Sequence, residues 1–288
     1  MRKSGKKVGK RMSLSRKAKG ISTTAMIAIV AVMVVVAGLA WYFTLPPSGP
    51  ALTGIERIKE KGTLVVGVDV YPPWVSLTEE GEFEGVDVEI MKKVADAIDV
   101  DVEFKEVIWE TIIPSLLAKE IDVIASALSI TPERSEEILY TIPYYEVTLA
   151  FVVRADEVGL YSTSEEFIGK NVGAQAGTTG WDLAMGLYED TGTDIKDFTV
   201  ITDLLLALEG EIVDVGIFDA PTARHYCEQE PEKFAVAFPH PTHGYPDRYA
   251  YAVRSEDGDL AQAINTVIME MWESGELPDL MDMWGVAP

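Results

Sequence analysis

Hydrophobic residues in this chain fall into two recurring patterns: short β-branched runs, and longer stretches with apolar positions three and four apart. Thr63-Leu-Val-Val-Gly-Val is of the first kind and predicts a buried strand. Ile121-Asp-Val-Ile, Ala150 to Arg154, Val213 to Asp219 and Tyr249 to Val253 read the same way, and Asp101 to Val107 alternates as a further strand. The second pattern appears from Asp87 to Ile98, where apolar residues at 88, 91, 94, 95 and 98 mark one face of a helix capped by Asp87. It recurs over Glu110 to Lys119 (Ile112, Ile113, Leu116, Leu117) and Asp259 to Glu273 (Leu260, Ile264, Val267, Ile268, Met271). Short helices are expected near Ile55 and over Leu277 to Trp284. Strand and helix alternate, which predicts an α/β architecture.

One apolar stretch has neither period. Ala25 to Phe43 is unbroken, and at ~1.5 Å per residue its 19 residues nearly cross a hydrocarbon core of ~30 Å. Trp41 and Tyr42 stand at its end, where interfacial aromatics belong. Residues 1–20 carry nine Lys/Arg and no acid, so the positive-inside rule puts this basic arm in the cytoplasm and the body outside. Residues 21–43 are therefore expected to anchor the chain in the lipid bilayer. A cleavable secretory signal competes with that reading, although the run exceeds a usual signal core. Lys19-Gly20-Ile21-Ser22 also resembles archaeal pilin-like signals, which are cut after the glycine. In each variant the body is exported. Residues 44–53, with Pro46, Pro47, Ser48, Gly49 and Pro50, make a stiff spacer, and folded structure is expected from Gly54.

Charge narrows the partners. Residues 21–288 hold 15 basic residues against 47 acidic ones, a net of −32, which disfavours nucleic acid as a partner of the body. The single Cys227 excludes an intrachain disulfide and reads as a small core residue. His240 and His243 lie three apart in a Pro-rich loop with no third ligand in view, so neither a metal site nor a cofactor is expected. At 288 residues and 48% hydrophobic content, the chain can bury the core of one large domain or of two lobes.

Candidate chemistry gathers where strands end. After Ile124 the chain reads Ala125-Ser-Ala-Leu-Ser-Ile-Thr-Pro-Glu-Arg134. Ser126, Ala127 and Ser129 are small and leave backbone groups open to a close ligand. Thr131-Pro132-Glu133 has the form of a helix start. Arg134, in that first turn, is poorly placed for the helix dipole, yet its planar fork suits a carboxylate. A surface pair with Glu133 or Glu137 is the alternative. Val172 to Gly180 reads as strand, glycine-bearing turn and helix start, with Thr178 as cap and amides open to an anion. A phosphate-binding loop is excluded there because the Gly-Lys-Ser/Thr ending is missing. Val213 to Asp219 ends on an acid before a helix, where Asp219 could serve as an ordinary cap. Asp69-Val-Tyr-Pro-Pro-Trp leaves the first strand, its prolines fixing a loop that can aim Tyr71 and Trp74, unless both are core aromatics. Trp109 lies at a strand-to-helix loop, outside the apolar stripe that follows.

These motifs, in this order between roughly Gly62 and Trp284, resemble the amino-acid-binding family of ABC-transporter solute-binding proteins (solute-binding family 3). Glutamine-, histidine- and lysine/arginine/ornithine-binding proteins belong to it. The resemblance implies a two-lobed periplasmic-binding-protein-like (type II) α/β fold with a ligand cleft between lobes. Lobe 1 would take 54–150 and 250–288, and lobe 2 would take 151–249. It further implies that Arg134 grips the ligand α-carboxylate, joined by Thr178 and Thr179 from the other lobe, with Ser129 and Ala127 adding polar contacts. Asp219 would hold the α-ammonium. Tyr71 and Trp74 would form one aromatic wall and Trp109 the facing one. Asp69 and Gln175 fall where relatives touch the ligand side chain, Asp69 one residue nearer the aromatic than in the commonest pattern. The implied function is capture of a free polar or cationic amino acid (arginine, lysine or glutamine) outside the cell and delivery to an ABC permease, without enzyme activity. Rival readings are a periplasmic-type dehydratase acting on a small carboxylate, with Asp69 as its acid/base. A tethered ligand-sensing input module needing a separate output partner is another, and a pilin-like subunit is the third.

Overall fold

Thr53 opens the folded chain with a reciprocal cap. Its hydroxyl accepts the Glu56 amide while the Glu56 carboxylate accepts the Thr53 amide, starting helix α1 (Gly54–Lys61). The structure, a computed structural model, describes residues 52–241 and 247–286. The expected cytoplasmic arm (1–20), the apolar segment (21–43), most of the spacer and His243 lie outside the described residues. Among the described residues, no helix is long and apolar enough to cross a membrane.

From α1 the chain runs through β1 (Thr63–Val68), β2 (Ser76–Leu77), β3 (Phe83–Glu84), α2 (Val86–Ala97), β4 (Asp101–Glu106), α3 (Trp109–Leu117) and β5 (Val123–Ile124). After one 3-10 turn, Arg134–Glu136, come β6 (Leu139–Tyr140), β7 (Tyr145–Val147) and β8 (Leu149–Arg154). Next are β9 (Asn171–Gln175), α4 (Thr179–Tyr188), β10 (Asp194–Phe198), α5 (Ile201–Glu209), β11 (Val215–Asp219), α6 (Ala220–Gln229) and β12 (Phe234–His240). The chain closes with β13 (Asp247–Tyr249), β14 (Ala252–Val253), α7 (Gly258–Ser274) and α8 (Glu276–Met283).

Two five-stranded sheets result. One is ordered β4-β1-β5-β14-β6, parallel around β1 and antiparallel around β14. The other is ordered β10-β9-β11-β8-β12, parallel around β9 and antiparallel around β8. β7 pairs with β13, Tyr145 opposite Tyr249, so the two chain crossings between the sheets run side by side. Alternation along β8 shows why each sheet is buried twice. Leu149, Phe151 and Val153 pack with Leu183 and Ala184 of α4, while Ala150 and Val152 face the cluster holding Leu204 and Leu208 of α5.

Two local expectations are corrected. Asp87 does not cap α2: the cap position is Gly85, and the Asp87 side chain points inward, fully buried. Thr131 caps no helix: its hydroxyl accepts the Arg134 amide at 3.2 Å, but only the 3-10 turn follows, with Glu133 at its cap position. The chain must enter β6 at Leu139 to pair with β14, and that pairing ends the turn before a helix can propagate.

Candidate functional site

The carboxyl ends of strands from both sheets converge on one cavity. Asp69 follows β1 and Trp109 opens α3 after β4, while Ser126, Ala127, Ser129 and Arg134 follow β5. From the second sheet come Gln175 at the end of β9, Thr178 and Thr179 at the start of α4, and Asp219 at the end of β11. Tyr71 completes the lining. Sites outside the carboxyl ends of strands are where open α/β sheets bind ligands. Gly180 sets the approach of α4: a Cβ there would sit 2.6 Å from the Ile217 carbonyl oxygen, so only glycine lets the helix start beside β11.

Arg134 does not pair with Glu133 or Glu137. Its Nη1 donates to the Ser129 carbonyl at 2.8 Å and its Nη2 to the Gly177 carbonyl at 2.9 Å. The guanidinium also lies 5.3 Å from the centre of the Trp109 ring, within cation–π range. Trp109 Nε1 donates to the same Gly177 carbonyl at 2.9 Å. These bonds fix the plane of the guanidinium and leave part of its donor fork open to a carboxylate. Thr178 caps α4, its hydroxyl accepting the Trp181 amide and donating to the Gln175 carbonyl.

Asp219 heads α6 without capping it through its side chain. Instead Oδ2 accepts the Tyr71 hydroxyl at 2.9 Å, and that hydroxyl accepts the Asp219 amide at 3.2 Å. Oδ1 is buried and makes no hydrogen bond at bonding distance, and the equally buried Tyr249 hydroxyl is a neighbour that favours the charged carboxylate. Burial raises the Asp219 carboxyl to about 6, partly opposed by the hydrogen bond from Tyr71. Asp69 is similar: burial lifts it to about 6, against a 3.1 Å bond from Gln175 Nε2 to its Oδ2. Gln175 also donates to the Thr199 carbonyl, which orients its amide.

One expected wall residue stands elsewhere. Trp74 is fully buried and does not line the cavity. It sits edge-on to Tyr144, Tyr145 and Tyr249, with centroids 6.1, 4.8 and 5.1 Å away. Gly85 presses on it from behind, since a Cβ there would fall 2.2 Å from the Trp74 carbonyl oxygen. The large indole gains more from this aromatic cluster than from a half-open wall. Ser126, marked in the sequence only as one of the small residues of its turn, also lines the cavity; its hydroxyl bridges the Asp69 amide and carbonyl at 3.0 and 2.9 Å, tying the two loops together. Cys227 is half-buried, and burial pushes its thiol up to about 11. Among the described residues, no group of three or more His, Cys, Asp or Glu is set to hold a metal ion.

Comparison with known proteins fits this geometry. The family model for bacterial extracellular solute-binding proteins, family 3, matches residues 64–287. The chain is 30% identical over 217 residues to the histidine-binding periplasmic protein of Escherichia coli, covering 73% of this chain and 82% of that one. It is 27% identical over 240 residues to the L-cystine-binding protein TcyJ of the same organism, covering 80% and 85%. Among solved structures, a mutant of arginine-bound ArgBP from T. maritima matches with a TM-score of 0.70 at 32% identity, covering 75% of this chain and 99% of that one. The two-lobed type II fold expected from the sequence is thereby established, and the family is one of binding proteins rather than enzymes. The chain belongs to the extracellular solute-binding proteins of family 3.

Proposed function

We propose that this protein captures a free amino acid with a long cationic or polar side chain outside the cell, arginine first, then lysine or glutamine. The observation that carries the reading is the charge on the cavity wall: one guanidinium, Arg134, and two carboxyls, Asp69 and Asp219. A buried ligand must leave no charge unpaired. An α-carboxylate on Arg134, an α-ammonium on Asp219 and a cationic side chain toward Asp69 and Gln175 satisfy all three. A neutral side chain leaves Asp69 with Gln175 alone, which ranks glutamine below arginine and lysine. ArgBP of T. maritima was solved with arginine bound, and that likeness supports the order. Trp109 and Tyr71 flank the ligand, and Ser129, Ala127, Thr178 and Thr179 add polar contacts.

Because the groups come from the ends of both sheets, ligand favours the closed arrangement, and an ABC permease would read that closed form. Lobe 1 takes 54–150 and 250–288, lobe 2 takes 151–249, and residues 21–43 tether the body to the membrane. Thermal unfolding of the full-length chain against each of the twenty amino acids tests the ligand. At about a hundred times its dissociation constant, a ligand adds ~2.7 kcal/mol of stability. A rise in midpoint with arginine or lysine is expected. No rise with any amino acid overturns the reading.

A further inference from the structure

Asp87 is a fully buried carboxylate outside the cavity, yet it is bonded to the cavity's own backbone. Its Oδ2 accepts the Ala127 amide at 2.8 Å. Its Oδ1 accepts the Tyr144 hydroxyl at 2.6 Å and the Tyr251 hydroxyl at 3.0 Å. Each of the three donors sits at a strategic place. Ala127 lines the cavity with φ +48°, a left-handed conformation that a residue with a Cβ adopts at a cost. Tyr144 immediately precedes β7 and Tyr251 lies between β13 and β14, so each belongs to one of the two crossings between sheets. The two rings stack with centroids 4.6 Å apart, and the Tyr144 amide donates to the Tyr249 carbonyl at 3.0 Å.

We propose that Asp87 is a positioning residue for the ligand: its carboxylate holds Ala127 in the left-handed conformation that shapes the cavity and ties that loop to both crossings. Asp87 touches no ligand. In this arrangement all three partners donate to the carboxylate, which only accepts. An asparagine could keep the Ala127 bond through its carbonyl and turn its NH2 to the two tyrosine hydroxyls, which rotate to accept, so the informative change is to alanine, which removes all three bonds and leaves the Ala127 amide unpaired. Asp87 also lies in the first turn of α2, where the helix dipole favours negative charge. The inference rests on the amino-acid-binding reading for its affinity test, and the Ala127 amide supplies a readout independent of ligand.

The experiment uses the full-length chain, with L-arginine as probe, in calorimetric titration alongside amide hydrogen exchange. Asp87→Ala is expected to weaken arginine binding about tenfold, the scale of a lost hydrogen bond to a charged group, and to speed exchange at Ala127. Adding Ala127→Gly should recover most of the affinity, because glycine adopts the left-handed conformation unaided. A loss of core packing alone would not respond to that second change, so no recovery overturns the proposal, as does unchanged affinity in Asp87→Ala. Should Asp87→Ala fail to fold, Tyr144→Phe with Tyr251→Phe keeps the packing and removes the hinge-side donors. Weaker arginine binding in that pair supports the coupling and unchanged binding overturns it. If the unaltered chain binds no amino acid, the reading above fails on its own, and slow exchange at Ala127 that depends on Asp87 still decides this one.

Discussion

Asp69 and Asp219 are the acids of the cavity, and burial holds both near 6. Their pH dependence has a definite sign. A carboxyl raised from 3.8 contributes stability that is complete below about 3.8 and lost as pH rises through about 6. The charged form is therefore costly in the fold, and a bound cation stabilises it beyond the hydrogen bonds from Tyr71 and Gln175. Affinity for a cationic amino acid should fall as pH drops from 7 to 5, by about tenfold for each carboxyl that must ionise. Titration calorimetry at the two pH values checks this, and a flat profile would remove both acids from the cation's surroundings. Arg134→Ala, by contrast, leaves the ligand carboxylate unpaired and should weaken binding by ~2–5 kcal/mol with the fold intact. Unchanged affinity in that variant would sink the carboxylate assignment. Ten of the eleven expected site residues line the cavity, because strand ends, small-residue turns and acids before helices are local features that sequence displays. Trp74 is the exception, since nothing local distinguishes an aromatic aimed at a cleft from a core one aimed at Tyr144, Tyr145 and Tyr249, which are distant in sequence. Asp87 was misread for the same reason: a carboxylate at a helix start looks like a cap whether or not it turns inward.

Helices with a periodic apolar stripe are the most legible elements, while β12 (Phe234–His240) carries His240, expected in a loop, at the end of a strand. α7 shows five turns' worth of periodic burial, and its expected inward residues Leu260, Ile264, Val267, Ile268 and Met271 are all buried. β6 has two residues and β7 three, too few to show any period, whereas the two-residue β5 and β14 lie inside the apolar runs 121–124 and 249–253 that read as strands. β10, Asp194–Phe198, sits at a sheet edge, so polar residues break its apolar run. These short strands depend on interactions that patterns do not reveal. Just after β14, Arg254 is 1% exposed and donates to the Leu116 and Ile121 carbonyls. It also pairs with Asp122 at 3.2 Å and with the fully buried Asp257 at 2.7 Å, which Arg57 reaches from α1. One guanidinium thus ties α3, β5 and the start of α7 to the returning strand. Arg254→Leu leaves those carbonyls unpaired and Asp257 with Arg57 alone. The expected cost is ~3 kcal/mol, a fall in midpoint of roughly 6–12 °C for a body of this size. Calorimetric melting measures it, and a midpoint within a degree of the original would mean the network is replaceable by apolar packing.

At the scale of the whole molecule the dominant quantity is charge. Residues 21–288 carry a net of −32, and the ion pairs among the described residues lie largely at the surface, such as Lys92–Glu89 and Lys105–Glu120. Surface pairs contribute about 0–1 kcal/mol each and weaken with salt, whereas repulsion among the surplus acids opposes the compact state over longer range. Salt acts on both, but unequally. Raising ionic strength from 0.1 to 1 M shortens the Debye length from about 10 Å to about 3 Å, which removes long-range repulsion while contacts near 3 Å persist. The thermal midpoint should therefore rise with sodium chloride. Arginine binding should move the other way, since the same negative field that strains the fold draws in a cation, and its association rate should fall as salt screens that field. Glutamine, which carries no net charge, should show no such fall. Stopped-flow tryptophan fluorescence, with Trp109 on the cavity wall as reporter, compares the two. A midpoint that drops with salt would mean local pairs outweigh the surplus charge, and equal salt slopes for arginine and glutamine would show that the field plays no part in choosing the ligand.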